Sequence, residues 1–186
     1  MRITLIAGTN RQGSRTLKVT NDLARRLQQH GVETDVLDLR TLPPELFTPS
    51  AYDEKPEAFE RFCQSVLTAD GLYVVAPEYN GSFPGILKLF IDMLPFPESF
   101  ENRPVAFLGL AAGRFGNLRG VEQLQLVFGY RNANIFPNRV FLPGVAKSLD
   151  DNGKPTDTAL DERIENHLKR YIAFVQQNPM PAAVER

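Results

Sequence analysis

The sequence carries a single cysteine, Cys63, among its 186 residues. That excludes an intrachain disulfide and any zinc site built on several thiolates, and no metal site is expected. Neither sign of charge is in excess: 21 basic and 22 acidic side chains are mixed along the chain and leave a net charge of −1. A duplex-binding protein needs a basic stripe to release counterions. None is present, so no nucleic-acid partner is expected. Long hydrophobic runs are lacking too. The longest, near residues 86–94, is far too short to cross a bilayer, so no membrane partner is expected. The N-terminus enters a short apolar run at once, without the basic and extended apolar regions of a secretory signal. Cytoplasm is therefore the default location. Only two histidines occur, His30 and His167. One falls near the end of a helical stretch and the other is expected on the surface of another helix, so no catalytic acid–base dyad is expected.

What is present reads as one domain over residues 1–178, with a frayed tail at 179–186. Short β-branched runs alternate with segments of helical period. Arg2–Ala7 reads as a strand. Over Arg15–His30 the apolar positions Val19, Leu23 and Leu27 recur every four residues, as on one helical stripe, and Gly31 stops that helix. Glu33–Leu39 alternates like a strand and leads into a loop with Pro43, Pro44, Pro49 and Pro56. A helix is expected from Pro56 to Thr68, with Cys63 in an apolar setting among Phe59, Phe62 and Val66. Gly71–Ala76 reads as a buried strand, and a helix begins at Pro84, where a missing N–H costs nothing. Further strands are expected at Pro104–Leu110 and Arg139–Leu142, and helices at Leu118–Tyr130 and Asp157–Gln176. Apolar strands alternating with helices predict an α/β fold with a parallel sheet covered on both faces. Five such units match a flavodoxin-like three-layer sandwich of strand order 2-1-3-4-5.

In such a sheet, ligands bind beyond the carboxyl ends of the strands where the order reverses, so three loops carry the chemistry. The first, Gly8-Thr9-Asn10-Arg11-Gln12-Gly13-Ser14-Arg15-Thr16, lies between a strand and a helix. Its backbone N–H groups and the helix dipole suit a phosphate. Thr9, Ser14 and Thr16 add hydroxyls, and Arg11 and Arg15 add charge. An ordinary strand-to-helix turn with capping residues accounts for part of this pattern. Gly8 and Gly13 have the spacing of a P-loop, but Ser14-Arg15 stands where Lys-Ser/Thr is needed, and no G-x-G-x-x-G is present. Nucleotide hydrolysis and a Rossmann dinucleotide site are both disfavoured, and Asp38 reads as a turn residue.

The second loop, Pro77-Glu78-Tyr79-Asn80-Gly81-Ser82-Phe83-Pro84-Gly85, offers N–H and C=O groups on a rigid backbone to the edge of a flat heterocycle. Tyr79 adds a stacking face. The third, Ala111-Ala112-Gly113-Arg114-Phe115-Gly116-Asn117-Leu118-Arg119-Gly120, surrounds an arginine and an aromatic with glycines. Close backbone approach to a ring system would explain those glycines. Arg114 and Arg119 are open to two other readings, as solvated charges or as intersubunit contacts.

Taken together, GTNRQGSRT, PEYNGSFPGILKLFID and AGRFGNLRG resemble the NAD(P)H-dependent FMN reductase family, which includes quinone, azo-dye and chromate reductases. The resemblance covers residue 2 to about 145, and the PEYNGS-x-PG block is its most specific piece. It implies non-covalent FMN, with Thr9, Arg11, Ser14 and Thr16 at the phosphate; Arg15, by its charge, is a further cofactor-binding candidate. Pro77, Glu78, Tyr79, Asn80, Gly81 and Ser82 would line the isoalloxazine, and Gly113, Arg114 and Phe115 would close the remaining side. Electrons would pass from NAD(P)H through FMN to a small-molecule acceptor: a flavin, quinone, azo compound or metal oxyanion. An FMN-binding carrier without efficient NAD(P)H turnover is the alternative. Two departures stand out. Thr16 replaces a usual asparagine, and Met93 with Pro95-Phe96-Pro97 replaces a segment that in relatives lies near the subunit contact and acceptor pocket. Ile86, Leu87, Leu89, Phe90, Ile91, Met93 and Leu94 make their helix apolar on nearly every side. That predicts a homodimer or homotetramer through Ile86–Leu94.

Overall fold

The computed structural model describes residues 1–180. The chain alternates β1 (Arg2–Ala7), α1 (Arg15–Gln29), β2 (Glu33–Asp38), α2 (Glu60–Leu67), β3 (Gly71–Pro77) and α3 (Gly85–Met93). It continues with β4 (Pro104–Leu110), α4 (Leu118–Tyr130), β5 (Asn134–Leu142) and α5 (Thr158–Gln177). The strands form one parallel sheet in the order β2-β1-β3-β4-β5. This is the flavodoxin-like order predicted from the sequence.

The sheet separates two apolar layers. On one face, Phe59, Phe62, Leu87, Phe90, Leu124 and Phe128 from α2, α3, α4 and the approach to α2 pack against Ile6, Leu72, Val74 and Phe107. On the other, Val19, Leu23, Leu27, Ile164, Leu168 and Tyr171 from α1 and α5 cover Ile3, Leu5, Val75 and Leu108. Strands buried on both faces read as continuous apolar runs, as β3 and β4 do. β2 and β5, at the two edges, are only partly buried. Cys63 is buried in the first layer.

Three expectations change. β5 begins at Asn134, five residues earlier than the alternation suggests. Pro137 lies inside it, which an edge strand tolerates, and the register with β4 shifts between Val105 and Phe107. The segment expected as a helix from Pro56 opens with a 3-10 turn at Glu57–Phe59 before α2, and the proline-rich loop contains 3-10 turns at Pro44–Phe47 and Pro49–Tyr52. His167 is not a surface residue. It sits one residue before Leu168 on the buried stripe of α5, 5% exposed. The Tyr73 hydroxyl reaches its Nδ1 at 2.9 Å, and Nε2 donates to the Asn138 carbonyl at 3.1 Å. Burial pushes its pKa down to about 4.

At the amino ends of the strands, residues 94–103 join α3 to β4. Arg103 is buried there and donates to the carbonyls of Ser99 (2.8 Å), Glu98 (3.2 Å), Leu67 (3.3 Å) and Ala69. Burial pushes its pKa down to about 10, so it remains a cation at neutral pH. Arg131 donates to the carbonyls of Ile91 (3.4 Å) and Pro95 (3.1 Å) and lies 4.8 and 4.7 Å from the ring centroids of Phe96 and Phe100. Among the described residues, no helix is long and apolar enough to cross a membrane. The tail expected at 179–186 lies outside the described residues from 181 onward.

Candidate functional site

At the carboxyl edge of the sheet, the Gly8 N–H donates to the Val75 carbonyl at 2.9 Å, which carries the β1–β3 pairing one residue past the strand. The chain then turns into α1, whose N-cap is Ser14. Its Oγ accepts from the Leu17 N–H at 3.3 Å, and the hydroxyl proton stays free to donate. The first turn of α1 contains no acid, so no carboxylate of its own offsets its N-terminal dipole.

The second loop is a tight turn. Tyr79 and Ser82 exchange both backbone hydrogen bonds, at 2.8 and 3.1 Å, around Asn80 (φ 51°) and Gly81 (φ 76°). Positive φ at both central positions defines a type I′ turn, for which Asn-Gly is the favoured pair. The Glu78 N–H donates to the Leu110 carbonyl at 3.0 Å, tying this loop to the end of β4. The Tyr79 hydroxyl meets the Thr9 hydroxyl at 2.7 Å, and Thr9 Oγ1 also accepts from the Arg11 N–H at 3.2 Å. The first two loops are thus joined side chain to side chain.

The third loop is held from beneath. Asn117, fully buried, donates through Nδ2 to the Ala76 carbonyl at 2.9 Å, while its Oδ1 has no partner. A β-carbon on Gly120 would lie 2.2 Å from that Oδ1 and 2.8 Å from the Ser82 carbonyl carbon. One on Gly116 would lie 2.9 Å from the Leu142 nitrogen. These two glycines therefore answer to the protein's own packing rather than to a ligand ring, which corrects the sequence reading. Gly113 has open space around it. The Ser82 hydroxyl bonds to Gln123 of α4.

One cleft of about 270 Å³ lies among these loops, lined by Arg11, Gln12, Gly13, Ser14, Arg15, Thr16, Pro77, Glu78, Tyr79, Leu110, Ala111, Ala112 and Val145. Of the residues singled out in the sequence, Arg11, Ser14, Arg15, Thr16, Pro77, Glu78 and Tyr79 line it. Thr9 is buried behind Tyr79. Asn80, Gly81 and Ser82 form the turn beside the cleft, and Gly113, Arg114 and Phe115 lie outside its lining. Val145 is a wall the sequence reading missed. It follows β5, and its N–H donates to the Ala111 carbonyl at 3.1 Å, while Gly144 donates to the Gly113 carbonyl at 3.2 Å. The signal for it was Pro143-Gly144, a break placed where a fourth strand of the sheet reaches the same edge. Pro95-Phe96-Pro97 lies at the opposite, amino edge of the sheet, so within one chain it is not part of this cleft.

The family model described as NADPH-dependent FMN reductase matches residues 1–147. The NAD(P)H-dependent FMN reductase of Pseudomonas aeruginosa is 29% identical over 176 residues, 92% of this chain and 94% of that protein. A quinone reductase of Pseudomonas putida is 30% identical over 183 residues, 95% of each chain. Among solved structures, the flavoenzyme NAD(P)H:(acceptor) oxidoreductase of Paracoccus denitrificans superposes with a TM-score of 0.78. The match covers 96% of this chain and 99% of that one, at 20% identity, which makes it a likeness of fold.

Proposed function

The chain belongs to the NADPH-dependent FMN reductase family, and on that premise we propose that it holds FMN non-covalently in the cleft and transfers electrons from NAD(P)H to a small-molecule acceptor. The observation that carries this reading is the convergence of three loops, far apart in sequence, on one cleft with a phosphate-type cradle at one end. The residues present fit the group. The N-terminus of α1 and the open backbone around Gly13 leave N–H donors without protein partners. The Ser14 hydroxyl, Thr16 and the guanidinium groups of Arg11 and Arg15 complete a set for a dianionic phosphate. Pro77, Glu78 and Tyr79, with the Asn80-Gly81-Ser82 turn beside them, present a rigid polar edge to a flat ring. Thr9 braces Tyr79. Gly113, Arg114 and Phe115 stand at the outer rim. When bound, FMN supplies the two-electron chemistry, taking hydride from the reduced nicotinamide and giving electrons to the acceptor. The protein's part is to hold, orient and shield, and no side-chain nucleophile is required. Acceptors of the quinone, flavin, azo or metal-oxyanion type fit a reaction that needs only access to the ring. A cytoplasmic setting fits the supply of reduced nicotinamide.

Purified protein should take up FMN, turn yellow and bleach anaerobically when NADPH or NADH is added. A colourless protein that gains no spectrum with FMN would sink the proposal. Bound flavin that is reduced by dithionite but not by either nicotinamide would replace the reductase reading with a carrier.

The apolar surface that a second copy would cover is the groove between α3 and α4 rather than α3 alone. Ile86, Leu87, Phe90, Ile91 and Met93 are already buried within the chain, and the exposed side of α3 carries the Lys88–Asp92 ion pair at 2.7 Å. The uncovered apolar surface lies beside it. Phe96, Leu126 and Tyr130 are 66%, 77% and 82% exposed around a groove of about 570 Å³. Exposed apolar surface of this kind marks an interface, and we assign it to a homodimer contact continuing into α3. Sedimentation should give a dimer at micromolar concentration, and Leu126→Lys should give a monomer.

A further inference from the structure

Phe115 stands on the loop between β4 and α4 with 49% of its surface exposed. The Arg114 guanidinium carbon lies 4.8 Å from its ring centroid and that of Arg119 lies 5.7 Å away. Other arginines set against aromatic rings in this protein also have acceptors: Arg61 bonds to Thr41, Arg131 to two carbonyls, and Arg139 to Gln125 and Glu122. Arg114 and Arg119 are both exposed, and among the described residues neither forms an ion pair. One aromatic ring and two cations therefore share a patch, and among the described residues neither cation is ion-paired.

The patch begins two residues beyond the cleft wall. Ala111 and Ala112 line the cleft, and the loop's base is fixed by the Val145-to-Ala111 and Gly144-to-Gly113 hydrogen bonds. A ligand whose reacting end enters the cleft and whose other end runs out past Ala112 meets this patch.

We propose that Arg114, Phe115 and Arg119 form the subsite for the adenosine 2′-phosphate half of NADPH and set the preference for NADPH over NADH. The proposal rests on the FMN reductase reading above. Adenine is planar and stacks on aromatic and guanidinium faces. A 2′-phosphate is a near-dianion with three acceptor oxygens, which guanidinium forks bind by charge-assisted hydrogen bonds. NADH carries only a hydroxyl there and leaves both cations in water. The subsite thus discriminates by a difference in affinity between two otherwise equal ligands.

The test measures kcat/KM for both nicotinamides on the FMN-loaded protein and on Arg114→Ala, Arg119→Ala, Arg119→Lys and the double alanine variant. The NADPH:NADH ratio should fall about tenfold in each single alanine variant, through KM. Arg119→Lys should recover part of the loss, and Arg119→Ala should leave NADH turnover unchanged. An unchanged ratio in the double variant, or equal losses for both nicotinamides, overturns the proposal. A second arm titrates 2′,5′-ADP and 5′-AMP into FMN-free protein by calorimetry. Tighter binding of 2′,5′-ADP, lost in the double variant, upholds the subsite; no advantage over 5′-AMP overturns it. If wild-type protein takes up no FMN, the function proposed above fails, and this second arm alone decides the subsite.

Discussion

The two ends of the sheet are both made of loops, yet they treat backbone polarity in opposite ways. At the amino end, the carbonyls of residues 67, 69, 98 and 99 converge on the Arg103 guanidinium, and those of 91 and 95 on Arg131. Cationic side chains are turned inward there to satisfy backbone acceptors. At the carboxyl end, side chains brace one another through Thr9–Tyr79 and Ser82–Gln123, while the residues at the start of α1 line the cleft. An end cross-linked by its own arginines serves stability, and an end whose loops leave a cleft between them suits the phosphate site proposed above. The fold places them at opposite edges because every βα turn falls on one edge and every αβ turn on the other.

Removing the closed end's organiser should have the largest effect. Arg103→Met leaves several buried carbonyls without donors and should cost about 3–5 kcal/mol, measured by urea unfolding. Protein that still folds should keep its flavin spectrum; equal losses of flavin affinity and stability would break the contrast between the ends. Next comes mild acid, to which His167, away from both loop ends, should respond. This histidine is held neutral when folded, with a pKa of about 4, while the unfolded chain protonates it near 6.5. The unfolded state therefore takes the proton first. The contribution of His167 to stability should fall as pH drops from about 6.5 towards 4, by at most about 3 kcal/mol. Below that, protonation of the ion-paired Asp161 and Glu165, whose partners hold their pKa values low, continues the loss. His167→Gln should flatten that slope, and an unaltered slope would move the sensitive group elsewhere. At the open end, Ser14→Ala should cost only about 1 kcal/mol of stability through the lost cap. Its FMN affinity should nonetheless fall about tenfold by fluorescence titration. The smallest effect is expected from Tyr79→Phe, which removes one hydroxyl pair: about 0.5–1 kcal/mol and a modestly faster release of flavin.

Most of the architecture was legible because the strong signals agree with one another. β1, β3 and β4 are continuous apolar runs, and Val19, Leu23 and Leu27 repeat at the helical period. β5 was legible only in its second half. Its first residues, Asn-Ile-Phe-Pro-Asn, follow edge-strand rules that tolerate a proline and a shifted register. His167 was misplaced because Asn166, Lys169 and Arg170 around it are exposed and polar, although its spacing from Ile164 and Tyr171 lay on the buried stripe. At the site, the loops that make the cleft announced themselves by composition. What composition could not reveal was which glycines serve packing. Gly116 and Gly120 are pressed against residues distant in sequence or folded back on them, and only coordinates show that. Val145 escaped notice for a similar reason, since an ordinary valine becomes a wall only once β5 ends beside β4.

The hydroxyl pair of Thr9 and Tyr79 joins positions 70 residues apart. In the folded chain the pair rests on the register of β1 and β3, with Ala7 opposite Val75. Contacts of such range close late, so the cleft should be completed only after the centre of the sheet has formed. Flavin capture during refolding would report not on collapse but on the moment the central strands align.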